Sequence, residues 1–135
     1  MNLKILIVDD DPIVLYLHRI ILEDCNIAEN PIIAENGKIA LETLLADNNI
    51  ETNYLVFLDI NMPIMGGWDF LEAIQTTNIQ NKIFVVMVTS SLDAKDYQKA
   101  KSYPQVISYL EKPLNESVCT PIKSLPQVNH FFEKS

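Results

Sequence analysis

The sequence predicts an α/β fold with a doubly wound parallel sheet of five strands, and three observations carry that prediction. Five apolar runs of strand length alternate with segments of helical period. Three of the five runs are apolar without alternation, as strands buried on both faces of a parallel sheet are. The runs end on carboxylates, a hydroxyl and a lysine, and an open α/β sheet collects its chemistry beyond the carboxyl ends of its strands.

The first strand is read at Ile5-Leu6-Ile7-Val8. Asp11-Pro12 then supplies an N-cap followed by proline at the first helical position, and Ile13, Leu17, Ile20 and Ile21 recur at helical spacing. A weaker strand follows at Ile32-Ile33-Ala34, and a helix over 38–45 carries Ile39, Leu41, Leu44 and Leu45. Leu55-Val56-Phe57-Leu58 is the third strand, and a helix over 68–74 places Phe70, Leu71 and Ile74 on one side, with Trp68 as a packing anchor. The fourth strand is Ile83 to Val88. The segment 94–101 is polar with little apolar face, so its helix should be the most exposed. The last strand is Val106-Ile107-Ser108-Tyr109-Leu110. Right-handed crossovers through the helices connect such strands.

Composition narrows the class. A chain of 135 residues with 48% hydrophobic and 21% charged residues is expected to form one domain with a true core. No apolar run is long enough to span a bilayer and no leader is evident, so a cytoplasmic protein without a membrane partner is expected. The net charge of −8 argues against nucleic acid, which requires a basic face. Cys25 and Cys119 lack metal-ligand spacing, and a reduced pair is expected over a disulfide. His18 and His130 have no base or metal partner in sequence and read as surface histidines.

The strand ends deliver Asp9, Asp10 and Asp11, then Asp59, then Thr89-Ser90, and finally Lys112-Pro113 to one edge of the sheet. Crowded carboxylates repel, and their charged forms persist when a cation joins them. Oxygen ligands without histidine or thiolate favour a hard ion. Mg²⁺ suits best, because it commonly takes one or two carboxylates, water and a phosphate oxygen. Such a site assists phosphoryl transfer, and a carboxylate can itself be the nucleophile. Asp11 is set aside as a helix cap, and Gly66-Gly67 as a turn.

Four segments carry a resemblance: Ile5 to Asp11, Phe57 to Gly67 (FLDINMPIMGG), Val88-Thr89-Ser90-Ser91, and Tyr109-Leu110-Glu111-Lys112-Pro113. In this order they resemble the receiver domains of two-component response regulators, over about residues 3–114. The resemblance implies a flavodoxin-like sheet of strand order 2-1-3-4-5. It implies a single receiver, residues 1–135, that takes a phosphoryl group onto Asp59 and switches partner binding. Asp10 and Asp59 would ligate Mg²⁺ by side chains, Asn61 by its backbone carbonyl and Asp9 through a water. Lys112 would pair with the phosphoryl oxygens, Thr89 would hydrogen-bond one of them, and Tyr109 would be the aromatic switch. Lys112-Pro113 would be a cis peptide. The donor would be a sensor histidine kinase or histidine phosphotransfer protein, and the downstream target another protein. The chain would catalyse only its own phosphorylation and dephosphorylation.

A haloacid-dehalogenase-type phosphatase also uses an aspartate nucleophile with Mg²⁺, but it needs a second aspartate two residues on. Here that position is Asn61, which cannot serve as the proton donor. A flavodoxin-like redox module would need a hydroxyl-rich loop after the first strand, where this chain has three aspartates. A degenerate receiver is disfavoured because every expected site residue is present. The segment 115–135 departs from the family pattern. Pro121 and Pro126 should break the last helix into short pieces starting near Asn115 and Pro126, with Leu125, Val128, Phe131 and Phe132 docking on the body. The output face is expected to differ accordingly, without a strong family-style dimer.

Overall fold

Seven residues of β1 (Asn2–Val8) pair with β3 (Thr52–Leu58) in full parallel register, from Asn2 opposite Thr52 to Val8 opposite Leu58, and this pair is the centre of a computed structural model of the chain. The structure describes residues 2–79, 82–90 and 93–133. β2 (Ile32–Ala34) flanks β1, while β4 (Ile83–Thr89) and β5 (Val106–Glu111) extend the other side. The sheet order is β2-β1-β3-β4-β5, all parallel, as the sequence led one to expect. β3 begins before its apolar run because pairing with β1 recruits Thr52, Asn53 and Tyr54.

Each strand buries alternate residues toward opposite layers, as the pleat dictates. Leu6, Val8, Val56, Leu58, Val85 and Met87 face α2 (Gly37–Ala46) and α3 (Gly67–Gln75), meeting Ala40, Leu44, Phe70, Leu71 and Ile74. Ile5, Ile7, Leu55, Phe57, Val86 and Val88 face α1 (Pro12–Asp24) and the chain after β5. α4 (Ala94–Lys101) buries only Ala100, in keeping with its polar sequence.

The C-terminal segment forms short pieces. A 3-10 turn at Glu116–Val118, capped by Asn115, runs into α5 (Cys119–Lys123), and a second 3-10 turn spans Asn129–Phe131. Pro121 lies inside α5 and does not break it. It is the third residue of the helix, where a backbone donor has no intrahelical partner to lose. Pro126 comes after α5 has ended. Val128 is fully buried, with Leu125, Phe131 and Phe132 packed beside it.

Two expectations are corrected here. Cys25 and Cys119 are joined in a disulfide, with Cα atoms 5.8 Å apart across 94 residues of sequence. The C-terminus of α1 and the start of α5 meet on one face of the sheet, which sequence separation could not reveal. His18 is 2% exposed and not a surface residue, because its side of α1 lies under the segment after β5. His130 is exposed, as expected.

Candidate functional site

β1, β3 and β5 end on the same edge, and their register sets Asp9, Asp59 and Lys112 side by side. Asp59 follows Leu58, and its backbone N–H donates to the Val8 carbonyl at 3.0 Å, so the backbone of Asp59 is locked onto the end of β1. The N–H of Asp9 donates to the Ala34 carbonyl at 3.1 Å. Both carboxylates are buried, Asp9 at 2% and Asp59 at 6% exposure, whereas Asp10 is exposed at the rim. One oxygen from each of the three lies within 4.8 Å of the others.

Lys112 bridges the buried pair. Its Nζ lies 2.6 Å from Asp9 Oδ2 and 3.1 Å from Asp59 Oδ1. The second oxygen of Asp9 accepts the Asp11 N–H at 2.9 Å, and Asp11 in turn caps α1 by accepting from the Ile13 N–H. Asp59 Oδ1 also accepts the Ile60 N–H at 2.9 Å. The backbone N–H of Lys112 donates to the Thr89 carbonyl at 2.7 Å, tying the last strand to its neighbour just where the lysine leaves it.

The charges are out of balance. Burial pushes the Asp59 carboxyl above its ordinary range, and Asp9 pushes it further; Lys112 only partly opposes them. Burial works against the charge on Lys112, but its bonds to Asp9 and Asp59 outweigh that and hold its pKa above the usual value. One lysine therefore faces two buried carboxylates, and the pocket has room in its electrostatics for another cation. Of the crowded carboxylates, it is Asp9 that repels the charge on Asp59. A set of carboxylate oxygens this close, with no nitrogen or sulfur ligand among them, could hold a hard metal ion.

Thr89 is buried at the end of β4, two residues past Met87, which pairs with Leu58. Asn61 is exposed in the loop after Asp59. Tyr109 stands on β5, its ring 5.5 Å from that of Tyr97 on α4 in an edge-on contact. Its hydroxyl is buried and has no hydrogen-bond partner among the described residues. Burial, with Asp96 and Asp93 nearby, raises its pKa. Lys112-Pro113 is cis. Ser91 lies outside the described residues.

The sequence reading missed what the glycines do. A Cβ on Gly67 would stand 2.5 Å from the Asp59 carbonyl oxygen and 3.1 Å from Ile60 Cα. The Gly67 N–H donates to the Ile60 carbonyl at 2.8 Å. α3 thus starts pressed against the backbone that carries Asp59, a contact that any side chain would prevent. Gly-Gly in sequence signals a turn, and only the three-dimensional path shows the close approach.

The response regulator receiver domain family matches residues 5–120. The chain is 30% identical over 132 residues to the two-component response regulator ARR22 of Arabidopsis thaliana, covering 97% of this chain and 84% of that one. It is similar in structure to a two-component response regulator from Cytophaga hutchinsonii, with a TM-score of 0.77 and 28% identity over 90% of this chain and 93% of the other. It is also similar to the bacteriophytochrome response regulator AtBRR, with a TM-score of 0.78 and 26% identity over 100% and 98% of the two chains. Nothing in these comparisons supports the phosphatase alternative. Fold, edge and relatives agree: the chain belongs to the response regulator receiver domains of two-component signalling, whose partners are histidine kinases or phosphotransfer proteins.

Proposed function

We propose that Asp59 accepts a phosphoryl group in a Mg²⁺-assisted reaction and that the phosphorylated protein alters its binding to a downstream protein. The observation that carries this reading is the Lys112 ammonium held between two buried carboxylates, Asp9 and Asp59, beside a third at the rim. Asp59 Oδ1 is engaged by the Ile60 N–H and by Lys112, so we assign the attack on phosphorus to Oδ2. Asp9, Asp10, Asp59 and the Asn61 backbone carbonyl would hold Mg²⁺, which supplies charge neutralisation for the incoming phosphoryl oxygens. Lys112 moves from its pairing with Asp59 to those oxygens as the Asp59 O–P bond forms and the P–N bond of the donor's phosphohistidine breaks, the imidazole leaving as the neutral ring once it takes up a proton. The Thr89 hydroxyl donates a hydrogen bond to one of them, and Tyr109 reports the change on the β5 side.

Ile13, Tyr16 and Leu17 are exposed on the first turns of α1, and Ile64 on the loop after β3 is 79% exposed. These apolar groups frame the acidic edge and suit docking of the histidine-bearing helices of a kinase or phosphotransfer protein. No helix among the described residues is long and apolar enough to cross a membrane. We read the protein as acting on itself without turning over a separate substrate and without nucleic acid.

Acetyl phosphate with Mg²⁺ should add one acid-stable, base-labile phosphoryl group, read by intact mass. Asp59→Asn and full chelation of the metal should each remove it. Labelling that survives either treatment, or repeated turnover of a phosphomonoester, would overturn this reading.

A further inference from the structure

His18 is a buried imidazole with no part in the chemistry above. It projects from α1 at 2% exposure, and its Nε2 accepts the backbone N–H of Leu114 at 3.2 Å, across 96 residues of sequence. As an acceptor at Nε2, the neutral ring carries its proton on Nδ1. Leu114 is itself buried, so its N–H has little access to water as a substitute acceptor.

The location of that bond gives it meaning. Leu114 lies two residues beyond Lys112, and the residue between them is Pro113, whose ring fixes its φ. On its other side, Lys112 is held by its N–H to the Thr89 carbonyl at 2.7 Å. The lysine backbone is therefore clamped twice, once by the β4–β5 ladder and once, across a single stiff residue, by His18. α1 is also fixed at its start, where Asp9 accepts the Asp11 N–H. One rigid helix thus references both ends of the Asp9–Lys112 contact.

We infer that His18 is a positioning residue for Lys112: by anchoring the backbone at Leu114 it sets where the Lys112 ammonium meets Asp59 and the arriving phosphoryl group. This rests on the reading of Asp59 as phosphoacceptor. Positioning of a reacting charge within fractions of an ångström is where such support acts on rate.

The test compares His18→Leu with His18→Gln, whose side-chain oxygen can accept the same N–H, in the wild-type and Lys112→Ala backgrounds. Labelling rates are measured with acetyl phosphate and Mg²⁺, and Mg²⁺ affinity by titration calorimetry. His18→Leu should lower the maximal labelling rate about tenfold with Mg²⁺ affinity unchanged. His18→Gln should recover most of the loss. In the Lys112→Ala background, His18→Leu should add no further loss, because the group it positions is gone. Should His18→Leu fail to fold, judged by circular dichroism, His18→Asn replaces it, being too short to reach the amide. A folded His18→Leu that labels at the wild-type rate overturns the inference, as does a loss that adds in full to Lys112→Ala. Absence of labelling in the wild type overturns the phosphoacceptor reading itself, and this inference with it.

Discussion

The two faces of the sheet are built by different means. On one, α2 and α3 lay regular apolar stripes against the strands, and Phe70, Leu71, Ile74 and Leu44 bury fully by shape alone. On the other, α1 supplies half a layer and an irregular segment supplies the rest through Leu114, Cys119, Ile122 and Val128. That segment is too short in regular helix to present a continuous stripe. It is held instead by point ties to α1: the His18–Leu114 hydrogen bond, the Cys25–Cys119 disulfide, and Lys123 Nζ donating to the Cys25 carbonyl at 2.6 Å. Where regular helix is too short for periodic burial, specific bonds supplement it.

This contrast can be broken by substitution. The largest effect is expected on the helical face, where Phe70→Ala leaves a cavity under α3 and should cost about 3–5 kcal/mol in a denaturant titration. A change under 1 kcal/mol would mean that face is not the closely packed one. On the tethered face, Cys119→Ser removes a link closing a long loop and should cost about 2–4 kcal/mol. Reducing agent should shift the wild-type midpoint and leave the variant's unmoved. If reduction moves neither, the covalent tie contributes nothing.

Gly67→Ala probes the seam between α3 and the acidic edge. The added methyl meets the Asp59 carbonyl, so we expect roughly 1–3 kcal/mol of destabilisation. Labelling of Asp59 should slow more than in a core variant of equal stability, and equal slowing would deny the glycine a role at the site.

The smallest effect is electrostatic and concerns the metal-free protein. Burial and Asp9 raise the Asp59 pKa above the ordinary 3.8, so between those values the folded chain binds more protons than the unfolded one. Stability therefore falls as pH rises through that window, and the deficit persists above it. Asp59→Asn, which cannot ionise, should be the more stable protein at neutral pH in chelator. Its advantage should shrink as pH falls toward the ordinary value. Thermal melts across pH check the sign, and a less stable Asp59→Asn at pH 7 would contradict it.

Much of this was legible in the residues. Unbroken apolar runs marked β1, β3 and β4 because both their faces are buried. Asp11-Pro12 marked the start of α1 because cap and first-turn chemistry are local. The segment 94–101 matched α4 and its polar character matched the exposure, and the structure adds Asp93 as its cap. What stayed hidden depends on contacts distant in sequence. The side of α1 that buries His18 is defined by Leu114, and the disulfide by the meeting of α1 with α5. Likewise, the resemblance put Asp10 in direct contact with the metal and Asp9 behind a water, and only the structure shows that Asp9 is the buried neighbour of Asp59 while Asp10 stands at the rim.

The central claim is that the chemistry of the acidic edge takes place on Asp59, and site mapping tests it most directly. Protein labelled with acetyl phosphate and Mg²⁺ is reduced with borohydride, which converts an aspartyl phosphate to homoserine, and is then mapped by peptide mass spectrometry. The account predicts one converted residue, at position 59, absent from unlabelled protein and from protein labelled in chelator. Conversion at Asp9 or Asp10, or phosphate recovered on His18 with position 59 unchanged, would contradict it.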